Sequence, residues 1–298
     1  MKKLYLVDAS IYIFRAYFSI PEHLTDTDGN PANAVYGFAG FLASLLEKSQ
    51  ARHVAVAFDE SLTTSFRNDF YPPYKANRAL PPPELEAQLA ACQQLSRAVG
   101  LATFVDARYE ADDLIGTLAN AMSARGFSIV IVTADKDLTQ LIGADDVWWD
   151  FTRDRQLRAR DIKTQFGVAP EQIVDLIALA GDKVDNIPGV AGIGPGTAVK
   201  LLSRFGSLDS IYAHLNEIPT LNLRRAAAVR TALDNHKEQA YLSQRLARLA
   251  LDAPIRFTEG SLARQPVDQQ QLTALCERLN FGDNLKRRLQ VANRKGQK

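Results

Sequence analysis

Residues 129–137 read Ile-Val-Ile-Val-Thr-Ala-Asp-Lys-Asp. Four β-branched residues in a row suit a strand covered on both faces, and two carboxylates, Asp135 and Asp137, follow it at once. The same arrangement occurs twice more: LYLV (4–7) closes on Asp8, and VAVAF (54–58) closes on Asp59. Further short apolar runs lie at Ala102–Val105 and Val147–Trp149. Helical patterns at Val35–Lys48, Glu84–Val99 and Ala111–Arg125 separate the runs. This alternation predicts an α/β fold, a mostly parallel sheet flanked by helices. Ligands bind such sheets at the carboxyl ends of the strands, so three strand ends deliver acids to one edge.

From about residue 166 the pattern turns helical, with candidates at Ala169–Ala180, Pro195–Phe205, Leu208–Leu215, Leu223–Asn235 and His236–Leu246. Two regions are therefore expected, 1–165 and 166–298, with a soft boundary because motifs on both sides can build one site. Residues 252–298 carry the least legible pattern. The stretch FRNDFYPPYKANRALPPP (66–83) mixes five prolines with aromatic and basic residues and has no clear period. It reads as a mobile loop or short helical arch, extending over about 66–90.

A chain of 298 residues, 46% hydrophobic and 23% charged, is globular in composition. No apolar run approaches the roughly 20 residues of a membrane span. The start MKKLYLV is interrupted by Asp8 and Arg15, so it reads as a first strand and not as a signal peptide. Cys92 and Cys276 fit neither a disulfide framework nor a zinc site, and a cytoplasmic monomer is expected. A net charge of +1 argues against a simple nucleic-acid coat protein. The cations are clustered, however: Arg67, Lys75 and Arg78; Arg153 through Arg160; Arg224, Arg225 and Arg230; Lys286 through Arg288. Any one cluster alone reads as a solvated face. Separated clusters of both signs suit a protein that binds phosphates and also cations.

Further acids stand in EADDLIG (Glu110, Asp112, Asp113) and GDKVDN (Asp182, Asp185). Singly, each motif reads as a helix's first turn or a cap. Converging, nine carboxylates repel by several kcal/mol unless cations lie between them. Oxygen-only ligands suit Mg²⁺ or Mn²⁺, and two-metal phosphodiester sites hold such ions roughly 3.5–4 Å apart. The four histidines have no metal-ligand spacing, and there is no nucleophile elbow, Walker A loop or zinc motif.

The segment IPGVAGIGPGTAVKLL carries Gly189, Gly192, Gly194 and Gly196. A dinucleotide loop would follow a strand and place glycine where Thr197 stands. Here a helix precedes and another follows, a helix-hairpin-helix pattern spanning about 176–205. Glycines admit a phosphate, helix N-terminal amides bind it, and Lys200 can add charge. Arg67, Lys75 and Arg78 are candidate phosphate contacts or stabilisers of transition-state charge. Phe70, Tyr71 or Tyr74 are candidates for stacking on unpaired bases.

In order, the motifs LVDAS, VAFDE, SFR, YKANR, YEADDLI, TADKDLTQL and GDKVDNIPGVAGIGPGTA closely resemble the bacterial 5′-nuclease family. These are flap endonuclease relatives that include the N-terminal domain of DNA polymerase I, and the resemblance covers about residues 3–290. It implies a PIN-like nuclease core, a helix-three-turn-helix unit and an arch over the site. It also implies Mg²⁺-dependent trimming of 5′ ends and removal of 5′ flaps. By position, Asp8, Asp59, Glu110 and Asp112 resemble one metal group, and Asp113, Asp135, Asp137, Asp182 and Asp185 a second, with Asp135 central to catalysis. Lys75 resembles the catalytic-site lysine, and Arg67 and Arg78 phosphate contacts. The hairpin resembles one that holds K⁺ through main-chain oxygens, here around Leu179, Ala180, Pro188, Val190 and Ile193. The implied partners are DNA with 5′ ends, nicks or flaps, and a DNA polymerase. Two other readings stay open, a PIN-type ribonuclease and a non-catalytic binder of branched DNA.

Overall fold

The computed structural model describes residues 2–60 and 64–295. Met1 and residues 296–298, the outer ends of the two expected regions, lie outside them. Six strands form one sheet: β1 (Lys2–Asp8), β2 (His53–Asp59), β3 (Ala102–Asp106), β4 (Phe127–Val132), β5 (Val147–Asp150) and β6 (Arg155–Leu157). Their spatial order is β3-β2-β1-β4-β5-β6; the first five are parallel, and β6 is an antiparallel edge strand. The winding reverses at β1, which pairs with β2 on one side and β4 on the other. A crevice opens at such a reversal, above the carboxyl ends of the central strands.

Alternation along the strands divides the core into two faces, as a two-residue side-chain period requires. Leu4, Leu6, Ala55, Ala57, Ile129 and Ile131 point to one cluster, and Val7, Val54, Val56, Phe58, Val130 and Val132 to the other. The second cluster is covered by α1 (Ala9–Ser19), α2 (Asn33–Ser49) and, beyond the short α3 (Phe66–Phe70), α4 (Pro83–Ala98). The first is covered by α5 (Ala111–Ser123) and, after α6 (Ala159–Phe166), by α7 (Ile173–Ala180), α8 (Pro195–Phe205), α9 (Leu208–Ala213), α10 (Ala226–Asn235) and α11 (Lys237–Ala247). The chain then forms α12 (Glu259–Leu262), α13 (Gln269–Arg278) and α14 (Asp283–Lys295). Leu272, Cys276 and Leu289 join the core of the N-terminal half, against α4 and α2. The end of the chain therefore returns to the sheet, and the halves share their cores.

The five expected strands are present, and α1, β6 and α6 are additions. The α1 sequence ASIYIFRAYFS is β-branched and aromatic, so its local preference hides a helix that packing on α2 secures. The 66–83 stretch folds as α3, a turn and the start of α4. It is not free. The Lys75 amide donates to the Asp185 carbonyl (3.0 Å), Asn77 Nδ2 to the Lys183 carbonyl (2.9 Å) and Asn186 Nδ2 to the Pro73 carbonyl (2.7 Å). The turn is pinned to GDKVDN at these three hydrogen bonds.

Candidate active site

Four acids reach the crevice at the winding reversal. Asp8 ends β1, Asp59 ends β2, Asp112 stands in the first turn of α5, and Asp135 follows β4. They line a cleft of about 380 Å³, facing Lys75, Arg78 and Asp185, with Phe14 and Phe18 of α1 in its wall. Two hydroxyls organise the acids. Thr133 Oγ1 donates to Asp8 Oδ2 (2.8 Å) and accepts from the Asp135 amide (2.9 Å). Ser10 Oγ donates to Asp59 Oδ2 (2.6 Å), whose other oxygen accepts from the Ala111 amide (2.9 Å). Neither Ser10 nor Thr133 was singled out from the sequence, although both lie within two residues of a motif acid.

Burial, then the charges of Asp59 and Asp135, push Asp8 up to about 7. Burial, then Asp135 and Asp8, hold Asp112 well above the carboxylate range. Among the described residues none of the four forms an ion pair, and no three close on one point as a finished metal cage. They ring the cleft with no side-chain cation paired to them. That donor chemistry fits a hard divalent cation.

The other acids are neutralised within the chain. Lys75 Nζ lies 2.6 Å from Glu110 Oε1 and 3.9 Å from Asp185 Oδ2, and Arg78 Nη2 lies 2.5 Å from Asp185 Oδ1. Burial works against the Lys75 charge, but Glu110, Tyr74 and Asp185 outweigh it and raise its pKa well above the usual lysine range. Lys75 is thus a fixed cation, not a base. Lys136 Nζ bridges Asp182 Oδ2 (2.6 Å) and Asp137 Oδ1 (3.1 Å). Burial and Asp135 push Asp137 up to about 6. For Asp182 burial pushes the same way, but Lys136 and the Val184 and Asp185 amides prevail and lower it.

The hairpin after α7 packs backbone on backbone. A Cβ on Gly189 (φ +64°) would lie 2.3 Å from the Gly181 nitrogen. Its amide donates to Ser243 Oγ (3.0 Å), and Gln239 Nε2 donates to its carbonyl (2.6 Å), so α11 holds the turn. The Leu179 carbonyl accepts from the Val190 amide (2.9 Å), and the Val190 carbonyl from the Ile193 amide (3.0 Å). Gly194 and Gly196, at the start of α8, are exposed, and a Cβ on either meets no described atom within 4 Å.

A family model for the 5′-3′ exonuclease N-terminal, resolvase-like domain matches residues 3–167, and one for the 5′-3′ exonuclease C-terminal SAM fold matches residues 168–270. The chain belongs to the 5′-3′ exonuclease family. The 5′-3′ exonuclease of Buchnera aphidicola subsp. Schizaphis graminum is 32% identical, with 95% of this chain and 98% of that protein aligned. DNA polymerase I of Bacillus caldotenax is 39% identical over 94% of this chain but only 32% of its own length. The chain thus spans about a third of the polymerases it matches. The bacteriophage T5 flap endonuclease, solved as a pseudo-enzyme–product complex with DNA and metal ions, shares the fold: TM-score 0.67, 21% identity, 100% of both chains.

Two expectations for this member of the 5′-3′ exonuclease family are corrected by its geometry. Arg67 is not a phosphate contact: it is 1% exposed and spends its donors on Asp113, Glu110 and the Leu246 and Arg248 carbonyls. Asp113 is not a cleft acid, since both oxygens face Arg67 and accept from the Ala250 and Glu110 amides. Glu110 caps α5, and its oxygens receive Lys75, Arg67 and the Tyr74 hydroxyl (2.9 Å). Tyr74 is buried as well, and the half-buried Phe70 packs against the Arg245 guanidinium.

Proposed function

We propose that this chain is a divalent-metal-dependent, structure-specific 5′-nuclease that hydrolyses DNA phosphodiesters as a 5′-3′ exodeoxyribonuclease and 5′-flap endonuclease. One observation carries the reading. Four carboxylates with no ion-pair partner among the described residues line one cleft with two cations, Lys75 and Arg78. Acids alone would repel a phosphodiester, and cations alone would only bind one.

Asp8, Asp59, Asp112 and Asp135, which line the cleft together, would hold one Mg²⁺ or Mn²⁺ with Glu110 adjoining through Lys75, and Asp137, Asp182 and Asp185 a second; Asp135 thus joins the first group, not the second to which the resemblance assigned it. Bound there, such ions supply an activated water and neutralise charge on the reacting phosphate. Lys75 and Arg78 approach the same phosphate as preorganised positive charge. Thr133 and Ser10 keep the Asp8 and Asp59 oxygens aimed into the cleft.

The hairpin is the proposed duplex anchor, through Gly192, Gly194, Gly196, Thr197 and Lys200. Neither packing nor a left-handed backbone demands glycine at 194 or 196. The open space suits a phosphate on the α8 amides. Main-chain oxygens of Leu179, Ala180, Pro188, Val190 and Ile193 would hold a K⁺ ion there. The expected setting is the cytoplasm, with the chain acting as a monomer beside a DNA polymerase.

The test is a duplex bearing a 5′ flap, labelled at either end, incubated with Mg²⁺ and separately with EDTA. Mg²⁺-dependent cuts at the junction, or stepwise loss from the 5′ end, support the assignment. Binding without any cut overturns it.

A further inference from the structure

We propose that Lys136 is an intramolecular counter-ion for the second acid group, and that a divalent cation taking Asp137 and Asp182 must displace its ammonium. This rests on the nuclease reading above and concerns how the metal positions fill.

The nine acids divide by what neutralises them. Asp8, Asp59, Asp112 and Asp135 make no ion pair among the described residues, so a metal ion arriving there displaces no side-chain cation. Asp137 and Asp182 already share Lys136, at 3.1 and 2.6 Å. The first set has no ammonium to give up; the second offers an exchange.

Geometry makes the exchange feasible. The Lys136 side chain is 54% exposed, while Asp137 and Asp182 beneath it are 17% and 10% exposed. The ammonium sits at the rim on a flexible four-carbon stem, so it can swing into solvent without moving the backbone. A half-enclosed space of about 290 Å³ lies beside it, lined by Lys136, Asp137, Asp182 and residues of α7 and α8 including Pro195 and Val199. The bridge also joins the segment after β4 to the hairpin after α7. Without metal, Lys136 is therefore a clip between the sheet edge and the duplex anchor, and metal replaces it in that position.

The experiment uses the full chain with Mn²⁺ as probe, counting bound ion by electron paramagnetic resonance and calorimetry. Wild type is compared with Lys136→Met, which keeps the stem and removes the charge. Lys183→Met is the control, because it removes an exposed positive charge from the same GDKVDN turn without touching either acid. Wild type is expected to show a tight and a weak class. Lys136→Met should tighten the weak class roughly 5–10-fold and leave the tight class within about 2-fold. In EDTA, amide exchange over residues 181–190 should quicken in Lys136→Met and return to wild-type protection when Mn²⁺ is added. An unchanged weak class, or an equal shift in Lys183→Met, overturns the displacement while leaving the nuclease reading intact. Absence of Mn²⁺ binding in wild type overturns both.

Discussion

Arg67 and Asp113 meet as a bidentate pair, Nη1 to Oδ2 at 2.7 Å and Nη2 to Oδ1 at 2.8 Å, with both side chains out of solvent. The remaining Arg67 donors reach the Leu246 carbonyl (2.8 Å) and the Arg248 carbonyl (2.9 Å), in the last turn and at the C-cap of α11. One guanidinium thereby fastens α3, the start of α5 and the end of α11. A buried pair with every donor used stabilises by being complete, and removing one partner strands a charge.

Arg67→Ala should accordingly lower the unfolding free energy by about 3–5 kcal/mol, read from denaturant melts. Arg67→Lys should restore little, because an ammonium cannot make the planar fork. Wild-type stability in Arg67→Ala, with weakened DNA binding instead, would return the residue to the phosphate surface.

Asp135→Ala is expected to abolish cleavage of a flap duplex while DNA affinity stays within about 3-fold of wild type. Asp113→Ala should instead lose activity in step with loss of folded protein. Filter binding and circular dichroism on the two variants separate these cases; identical behaviour would erase the distinction between cleft and strut.

Lys75→Ala should slow the single-turnover cleavage rate by about 10²–10³-fold. Because Glu110 and its neighbours hold Lys75 protonated far above neutrality, the wild-type rate should show no loss from Lys75 deprotonation up to about pH 9. A basic limb near neutrality, absent from Lys75→Ala, would make the lysine a titrating base.

Asp8 titrates near 7 when folded and at its ordinary 3.8 when unfolded. Between these values the folded state keeps a proton that the unfolded state has released. Stability in EDTA should therefore fall, by on the order of a few kcal/mol, as pH rises from about 4 to above 7. Mg²⁺ should reverse the fall, and its apparent affinity should weaken as pH drops through 7, since the ion competes with that proton. Thermal melts across pH, with and without Mg²⁺, measure both; stability that climbs over this window in EDTA would contradict crowding of the four acids.

Gly194→Ala and Gly196→Ala should leave the melting temperature within about 2 °C of wild type, because each Cβ enters open space. If a phosphate occupies that space, each should weaken duplex binding by roughly 10-fold. Unaltered affinity in both would remove the hairpin from the DNA path.

The strand-end acids were legible in the sequence because a strand announces itself locally. Runs such as IVIV and VAVAF need burial on both faces, and an acid after such a run must sit at the sheet's carboxyl edge. The helix-hairpin-helix was legible for the same reason: glycine and proline act on the backbone within a few residues. Helix α1 was hidden because β-branched and aromatic residues favour extended chain, and only packing on α2 overrides that preference. The two corrected residues were hidden more deeply. Nothing local distinguishes Asp113 from Asp112 in EADD, yet α5 turns one inward to Arg67 and the other to the cleft. Arg67 finds its partners 46 and 179 residues away. The sequence by itself determined where acids and cations enter the structure; only the tertiary structure decided which remain unneutralised. Charge neutralisation requires contact at about 3 Å, and contacts at that range between distant segments exist only once the chain has packed.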